Sequence, residues 1–289
     1  AGQHSALYPF SIIHYVLPLA ASYGGFTVSQ LWLAGVLMYL YVRGIGLGRL
    51  GGAVAGIAYQ FSAFFIISVV FPMMIAGAAW LPFLLLMIEF TLQRRPLRGS
   101  RPATLPWIAA GAIGLMMNIF AGHIEITYYT LIVMALYSAL RLLALWWADR
   151  GAWRALLRPA ISLLALAFLG LGLGASQFIP LYELGSQNFR EDSADFETVT
   201  GWAFPARHVA KFLVPDAYGN PTHYAYTDVF SGDRVDQDWE RTVDPGTEYE
   251  RIERKTDTAF GMKNYVEGAA YMGILTLALA VLGIVAPGA

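Results

Sequence analysis

Apolar residues run along this chain in blocks of about twenty separated by short polar turns, the length needed to cross ~30 Å of hydrocarbon as a helix. The blocks cover residues 27–42, 50–70, 73–92, 103–120, 126–147, 159–181 and 266–285, and they predict seven membrane spans. Ahead of them, residues 1–22 begin polar at Gln3, His4 and Ser5 and continue as an apolar run broken by Pro9 and Pro18. That run is too short and too interrupted to cross. It predicts a short interfacial or re-entrant helix, separated from the first span by a break at Gly24-Gly25. Within the second block, Gly51, Gly52 and Gly56, with Ala53, Ala55 and Ala58, are spaced to let a neighbouring helix come close.

One long polar stretch interrupts this pattern. Residues 182–264 hold sixteen of the chain's twenty Asp and Glu against nine Lys and Arg. A segment of that composition belongs in water, and the apolar runs on either side tie both its ends to the membrane surface. The predicted organisation is a six-span bundle over 1–181, a polar extracytoplasmic loop over 182–264, and a seventh span over 265–289. The acidic run from Asp233 to Glu250 reads as a solvated loop. It lacks the glycine at position six of a calcium loop and has Asp244 rather than Glu at position twelve.

Composition agrees: 57% of residues are hydrophobic and 13% charged, where soluble domains carry about 25% charged residues. The formal charge of −1 conceals a segregation. With seven spans alternating sides, Arg43, Arg49, Arg94, Arg95, Arg98, Arg101, Arg141, Arg150, Arg154 and Arg158 all fall at one face, and they are every Lys and Arg outside the polar segment. The positive-inside bias makes that face cytoplasmic. The polar segment, the Phe71-Pro72 turn, the 121–125 turn and the N-terminal stretch then lie outside. No ionisable side chain falls near the middle of a span, which argues against an ion pump, proton relay or voltage sensor. Gln60, Asn118 and Gln177 are the polar groups at depth and fit interhelical hydrogen bonds. Trp80, Trp107 and Trp146-Trp147 fit interfacial belts. The chain has no cysteine, so thiolate metal sites are excluded. An acidic outer surface argues against nucleic acid as a partner.

Four polar clusters are expected on the outer face: Gln3-His-Ser-Ala-Leu-Tyr-Pro9, Gly122-His-Ile-Glu125, Val214-Pro-Asp-Ala-Tyr-Gly219 and Asn264-Tyr-Val-Glu-Gly268. Their order, together with Arg43-Gly-Ile-Gly-Leu-Gly-Arg49 and Ala79-Trp-Leu-Pro82, resembles the YfhO family of bacterial membrane proteins, which is similar in architecture to the GT-C glycosyltransferases. The resemblance implies an all-α bundle in the bacterial plasma membrane. It also implies an extracytoplasmic site, a polyprenyl-phosphate-linked sugar as donor for cell-envelope glycosylation, and a divalent cation. In such enzymes the key acidic residue sits in a first external loop that is expected to precede residue 1, so no catalytic base is assigned.

The candidate substrate contacts are His4, His123, Glu125, Arg207, Lys211, Asp216 and Glu267. Each also fits a plainer role. His123 and Glu125 suit a wetted turn, Asp216 an ordinary turn, and Glu267 the start of a helix. Arg207 and Lys211, with His208, fit either a lipid phosphate or anionic headgroups, and His4 fits a solvated terminus. The alternative to an enzyme is a non-catalytic subunit packed among others in a larger membrane assembly.

Overall fold

A computed structural model of the chain describes residues 5–97, 99–148, 153–185, 196, 200, 204, 206–218, 225–227, 231–236, 239–243, 250–254, 268 and 270–285. It divides into two compact units, one of residues 1–60 and 68–191, the other of residues 61–67 and 192–289.

The first unit opens with a 3-10 turn over Pro9–Ile12 that runs into a one-turn helix α1, Ile13–Val16. After Pro18, α2 spans Leu19–Gly44. The break expected at Gly24-Gly25 is therefore absent. Two helical glycines cost about 1 kcal/mol each in isolation, and the helix runs through both without either being required by a close approach. A side chain at Gly25 would meet Ile13 and Leu17 at 3.6 Å. Helix α3, Arg49–Gln60, crosses α2 closely. A Cβ on Gly56 would sit 2.7 Å from the Gly35 carbonyl oxygen, so the crossing needs glycine at position 56. Gly51 has nothing within 4 Å and takes no part.

Next come α5, Pro72–Ala79, and α6, Leu81–Gln93, joined at Trp80. Then follow α7, Leu105–Phe120, α8, Ile124–Ala148, α9, Trp153–Leu173, and α10, Ala175–Gly185. The core lies where α6, α7 and α9 meet, around Leu84, Ile88, Leu115 and Leu166. Asn118 is fully buried and bridges three helices, as its depth in the sequence suggests. Its Nδ2 donates to the Gly77 carbonyl at 2.8 Å and to Thr130 Oγ1 at 3.3 Å. Helix α6 ends in a Schellman motif, with Arg94 N–H donating to the Thr91 carbonyl and Arg95 N–H to the Phe90 carbonyl. Arg94 holds the left-handed position, φ 50°, where glycine is usual and an L-residue costs about 1–2 kcal/mol.

In the second unit, α4 covers Ala63–Ile67. Its first amide, that of Ala63, donates to the Tyr271 carbonyl at 2.8 Å, which accounts for the grouping of 61–67 with the C-terminal part and for the interruption of the expected second span at residues 61–62. The polar segment, expected as loop, contains two antiparallel ribbons. Strands β1, Ala225–Thr227, and β2, Arg234–Asp236, pair with Tyr226 opposite Val235. Strands β3, Trp239–Val243, and β4, Glu250–Arg254, pair with Arg241 opposite Ile252. Strands β1 and β3 supply most of the β-branched and aromatic residues, Tyr226 and Thr227 in the first and Trp239, Thr242 and Val243 in the second, whereas β4 is mostly charged. Helix α11, Ile274–Val285, closes the described chain.

Among the described residues, five helical stretches are long and apolar enough to cross a membrane: Leu19–Gly44, Arg49–Val70, Pro72–Gln93, Ile124–Ala148 and Trp153–Leu173. The fourth and seventh expected spans appear as shorter apolar helices, Leu105–Phe120 and Ile274–Val285. At 1.5 Å per residue they reach about 24 and 18 Å, less than the hydrocarbon thickness. The sixth expected span begins earlier than the sequence suggests and is split at Gly174. The chain is a predominantly helical membrane-type protein.

Candidate functional site

Hydrogen-bond systems at the two ends of the first unit decide where chemistry is possible in it. The first pins the N-terminal segment. Tyr8, 1% exposed, donates from its hydroxyl to Gln30 Oε1 on α2 at 2.7 Å and accepts from Trp80 Nε1–H at 3.0 Å. Ser5 Oγ donates to the Ala121 carbonyl at 2.7 Å. The N-terminal stretch thus meets the 121–125 turn at one end of the bundle, as the span order predicts. Trp80, read from sequence as an interface belt, instead donates to this buried cluster.

The segment leaves a cleft of about 270 Å³ between itself, α2 and the start of α5, lined by Ser5, Ser11, His14, Tyr15, Tyr23 and Pro72 among others. His14 is the titratable imidazole in it. Its ring stacks on Phe26 at 5.1 Å and leans on Tyr23 at 5.4 Å, so its orientation is fixed. Nδ1 lies 3.0 Å from Ser22 Oγ, and that hydroxyl donates its proton to the Leu19 carbonyl at 2.8 Å. With that hydroxyl proton turned to Leu19, Nδ1 is the nitrogen that donates to Ser22, and in the neutral ring Nε2 is then the nitrogen with the lone pair. Ser11 Oγ donates to the Ser5 carbonyl. Both Ser5 and Ser11 thus keep oxygen lone pairs for a ligand hydroxyl.

His123, 8% exposed, has a capping role. Its Nδ1 accepts the Ile126 amide at the start of α8, and its carbonyl accepts the Thr127 amide. Burial lowers the imidazole pKa, and Glu125 partly opposes that shift. The ring therefore stays neutral and able to cap. Glu125 is exposed in the first turn of α8, where a carboxylate suits the helix dipole, and it accepts from Tyr129 at 3.3 Å.

Another such system lies toward the arginine end. Glu89 is 3% exposed and accepts four hydrogen bonds: from Arg141 Nε at 2.5 Å and Nη2 at 3.0 Å, from Tyr137 at 2.7 Å and from Gln93 at 2.9 Å. Tyr41 donates to the Tyr137 hydroxyl at 3.0 Å. This carboxylate is fully occupied and holds α6 to α8.

In the second unit, the 3-10 helix Ala206–Phe212 and the turn after it gather Lys211, His208 and Tyr218, each 2% exposed. His208 packs on Tyr218 and Phe204, with ring centroids 5.1 and 5.4 Å away. Burial lowers the Lys211 pKa and the Asp216 charge acts against that, so these two sequence candidates do come together. Gly268 belongs to the same nucleus, because a Cβ there would lie 3.2 Å from Lys211 Nζ. His4, Glu267 and the side chain of Arg207 lie outside the described residues.

His14 escaped the sequence reading because its partner Ser22 and its stacking ring Phe26 become neighbours only when α1 folds back along α2. The available signal was an imidazole beside a proline-bounded apolar run. Among the described residues no three His, Asp or Glu side chains converge on a cation site. The chain matches no family model, no curated protein and no solved structure.

Proposed function

We propose that this chain is a membrane-embedded sugar-transfer protein, similar to the GT-C-like YfhO type, acting in the bacterial plasma membrane at the end of the bundle that holds the His14 cleft. The donor is a polyprenyl-phosphate-linked sugar and the acceptor a hydroxyl of the cell envelope. The arginine-rich end faces the cytoplasm and the cleft the outside. The observation that carries this reading is an imidazole held in place by Ser22 and Phe26 in a cleft lined by Ser5, Ser11, Tyr15 and Tyr23. At about 270 Å³ it is near the lower limit of ligand pockets, ~300–1,000 Å³, and suits one sugar ring.

In this mechanism the acceptor hydroxyl donates to His14 Nε2 and attacks the anomeric carbon. The new C–O bond forms as the bond to the phosphate oxygen breaks, and the polyprenyl phosphate leaves as an anion. His14 holds the acceptor's proton as an imidazolium, which the Ser22 oxygen stabilises through Nδ1–H. The serine oxygens accept from sugar hydroxyls, and the tyrosine rings offer flat faces to the sugar.

Full-length protein in vesicles, supplied with polyprenyl-phosphate carrying a radiolabelled sugar, tests this. His14→Ala is expected to lower transfer by about 10²–10⁴-fold, the usual contribution of a positioned base, with normal expression. Undiminished transfer in that variant removes the cleft from the mechanism. Absence of transfer by the wild type, with stable co-purification of other membrane proteins, establishes the accessory-subunit reading instead.

A further inference from the structure

The opposite end of the first unit contains a second cavity, of about 280 Å³, where the end of α6, the start of α7, the end of α8 and the first turns of α9 meet. The stretch Pro72–Gln93 runs from one cavity to the other, so about 30 Å separates them. Arg94 and Arg158 line this second cavity with Thr91, Thr104 and Ser162, and Leu92, Leu145 and Leu156 form its apolar side.

Three observations mark it as built for a ligand. Among the described residues, neither Arg94 nor Arg158 forms a salt bridge, and the nearby Glu89 is saturated by Arg141, Tyr137 and Gln93. Arg94 and Arg158 therefore border one small space, and among the described residues no carboxylate pairs with either. Thr91 is 2% exposed, and its hydroxyl has no hydrogen-bond partner. A helical threonine ordinarily donates back to a carbonyl three or four residues earlier. A buried hydroxyl that makes no bond in a wall of the cavity needs a partner from within it. Finally, Arg94 takes the left-handed cap position that favours glycine, the only non-glycine residue with positive φ among those described. Arginine rather than glycine stands where it borders the cavity.

We infer that this cavity binds the phosphate of a membrane lipid. Arg94 and Arg158 take its oxygens through paired N–H bonds, and the Thr91 hydroxyl donates a further bond. The leucines line the path of the acyl chains. Pro159 within α9 has no N–H, so the Ala155 carbonyl, also at the cavity, loses its helical donor and can accept from a headgroup hydroxyl. An anionic phosphodiester with a hydroxylated headgroup, as in phosphatidylglycerol, satisfies all four groups.

Full-length protein in neutral detergent, titrated with phosphatidylglycerol and followed by native mass spectrometry, tests the assignment. We expect one lipid to bind at this site, with Kd rising at least tenfold in Arg94→Gly and in Arg158→Gln and severalfold in Thr91→Val. Arg101→Gln, which removes an exposed charge at the same end but outside the cavity, should leave Kd within twofold. Arg94→Gly relaxes the cap and Thr91→Val removes an unbonded hydroxyl, so both should keep or raise thermal stability, which separates lost binding from lost folding. Millimolar inorganic phosphate should fail to displace the lipid; displacement assigns the site to a soluble phosphate ester and overturns the lipid. Unchanged affinity in the three cavity variants, or an equal loss in Arg101→Gln, overturns the site.

Discussion

Replacing Glu89 with glutamine tests the buried network most sharply, because it changes one atom's chemistry and almost no volume. The carboxylate accepts four hydrogen bonds, two from Arg141, one from Tyr137 and one from Gln93, and is 3% exposed. Breaking a buried ion pair costs about 3–5 kcal/mol. The Arg141 side chain is 36% exposed, so water recovers part of its solvation and the cost falls to about 2–3 kcal/mol, near one to two charge-assisted hydrogen bonds at ~1.5–3 kcal/mol each. For a chain of this size that corresponds to a Tm lower by about 5–10 °C. The assay is unfolding in mixed detergent micelles on Glu89→Gln, Arg141→Gln and the double variant. The cycle should return a coupling of about 2 kcal/mol, the second change adding little to the first. A coupling below about 0.5 kcal/mol would show that the pair is screened and that α6 and α8 are held by apolar packing alone.

Gly56→Ala places a methyl 2.7 Å from the Gly35 carbonyl oxygen and should cost about 1–3 kcal/mol, whereas Gly51→Ala, with nothing within 4 Å, should be neutral or stabilise by up to about 1 kcal/mol; thermal melts of the two distinguish them. His123→Ala should cost about 1 kcal/mol through the lost cap, and His123→Asn should recover most of it. Burial lowers the folded pKa of His123, so its contribution is fully present above about pH 6.5 and is lost as pH falls through the lower folded value, where the unfolded chain binds more protons. Melting from pH 8 to 4.5 should show this decline in the wild type and less of it in His123→Asn. Trp80→Phe removes the donor to Tyr8 and should loosen the N-terminal segment, seen as faster amide exchange at residues 8–16.

The apolar runs made the long helices legible, since a twenty-residue block free of charge admits few other structures, and Asn118 was legible as an interhelical bridge for the same reason. What escaped depended on partners distant in sequence. The Glu89–Arg141 pair is 52 residues apart, and nothing in the sequence joins the two charges until α6 and α8 are laid together. Gly24-Gly25 read as a break because glycine is a poor helix former, yet α2 runs through both, its long apolar context outweighing two unfavourable residues. The Arg49–Val70 stretch read as one uninterrupted helix because the Tyr271 carbonyl that receives the Ala63 amide comes from the far end of the chain. Of the candidate residues, Lys211 feels the charge of Asp216 in the second unit, and His123 caps a helix. Charge content alone could not reveal the ribbons at 225–236 and 239–254, because strand pairing depends on register rather than composition.

The proposal stands on the cleft and the arginine-lined cavity opening to opposite sides of a membrane. The chain has no cysteine, so single cysteines replacing Tyr15 at the cleft, Ser100 in the arginine-rich turn and Ser231 in the polar segment can each be probed in intact bacterial cells with a membrane-impermeant maleimide. The account predicts labelling of the Tyr15→Cys and Ser231→Cys proteins in intact cells and of the Ser100→Cys protein only after the membrane is opened. Labelling of Ser100→Cys and Tyr15→Cys from the same side would contradict it.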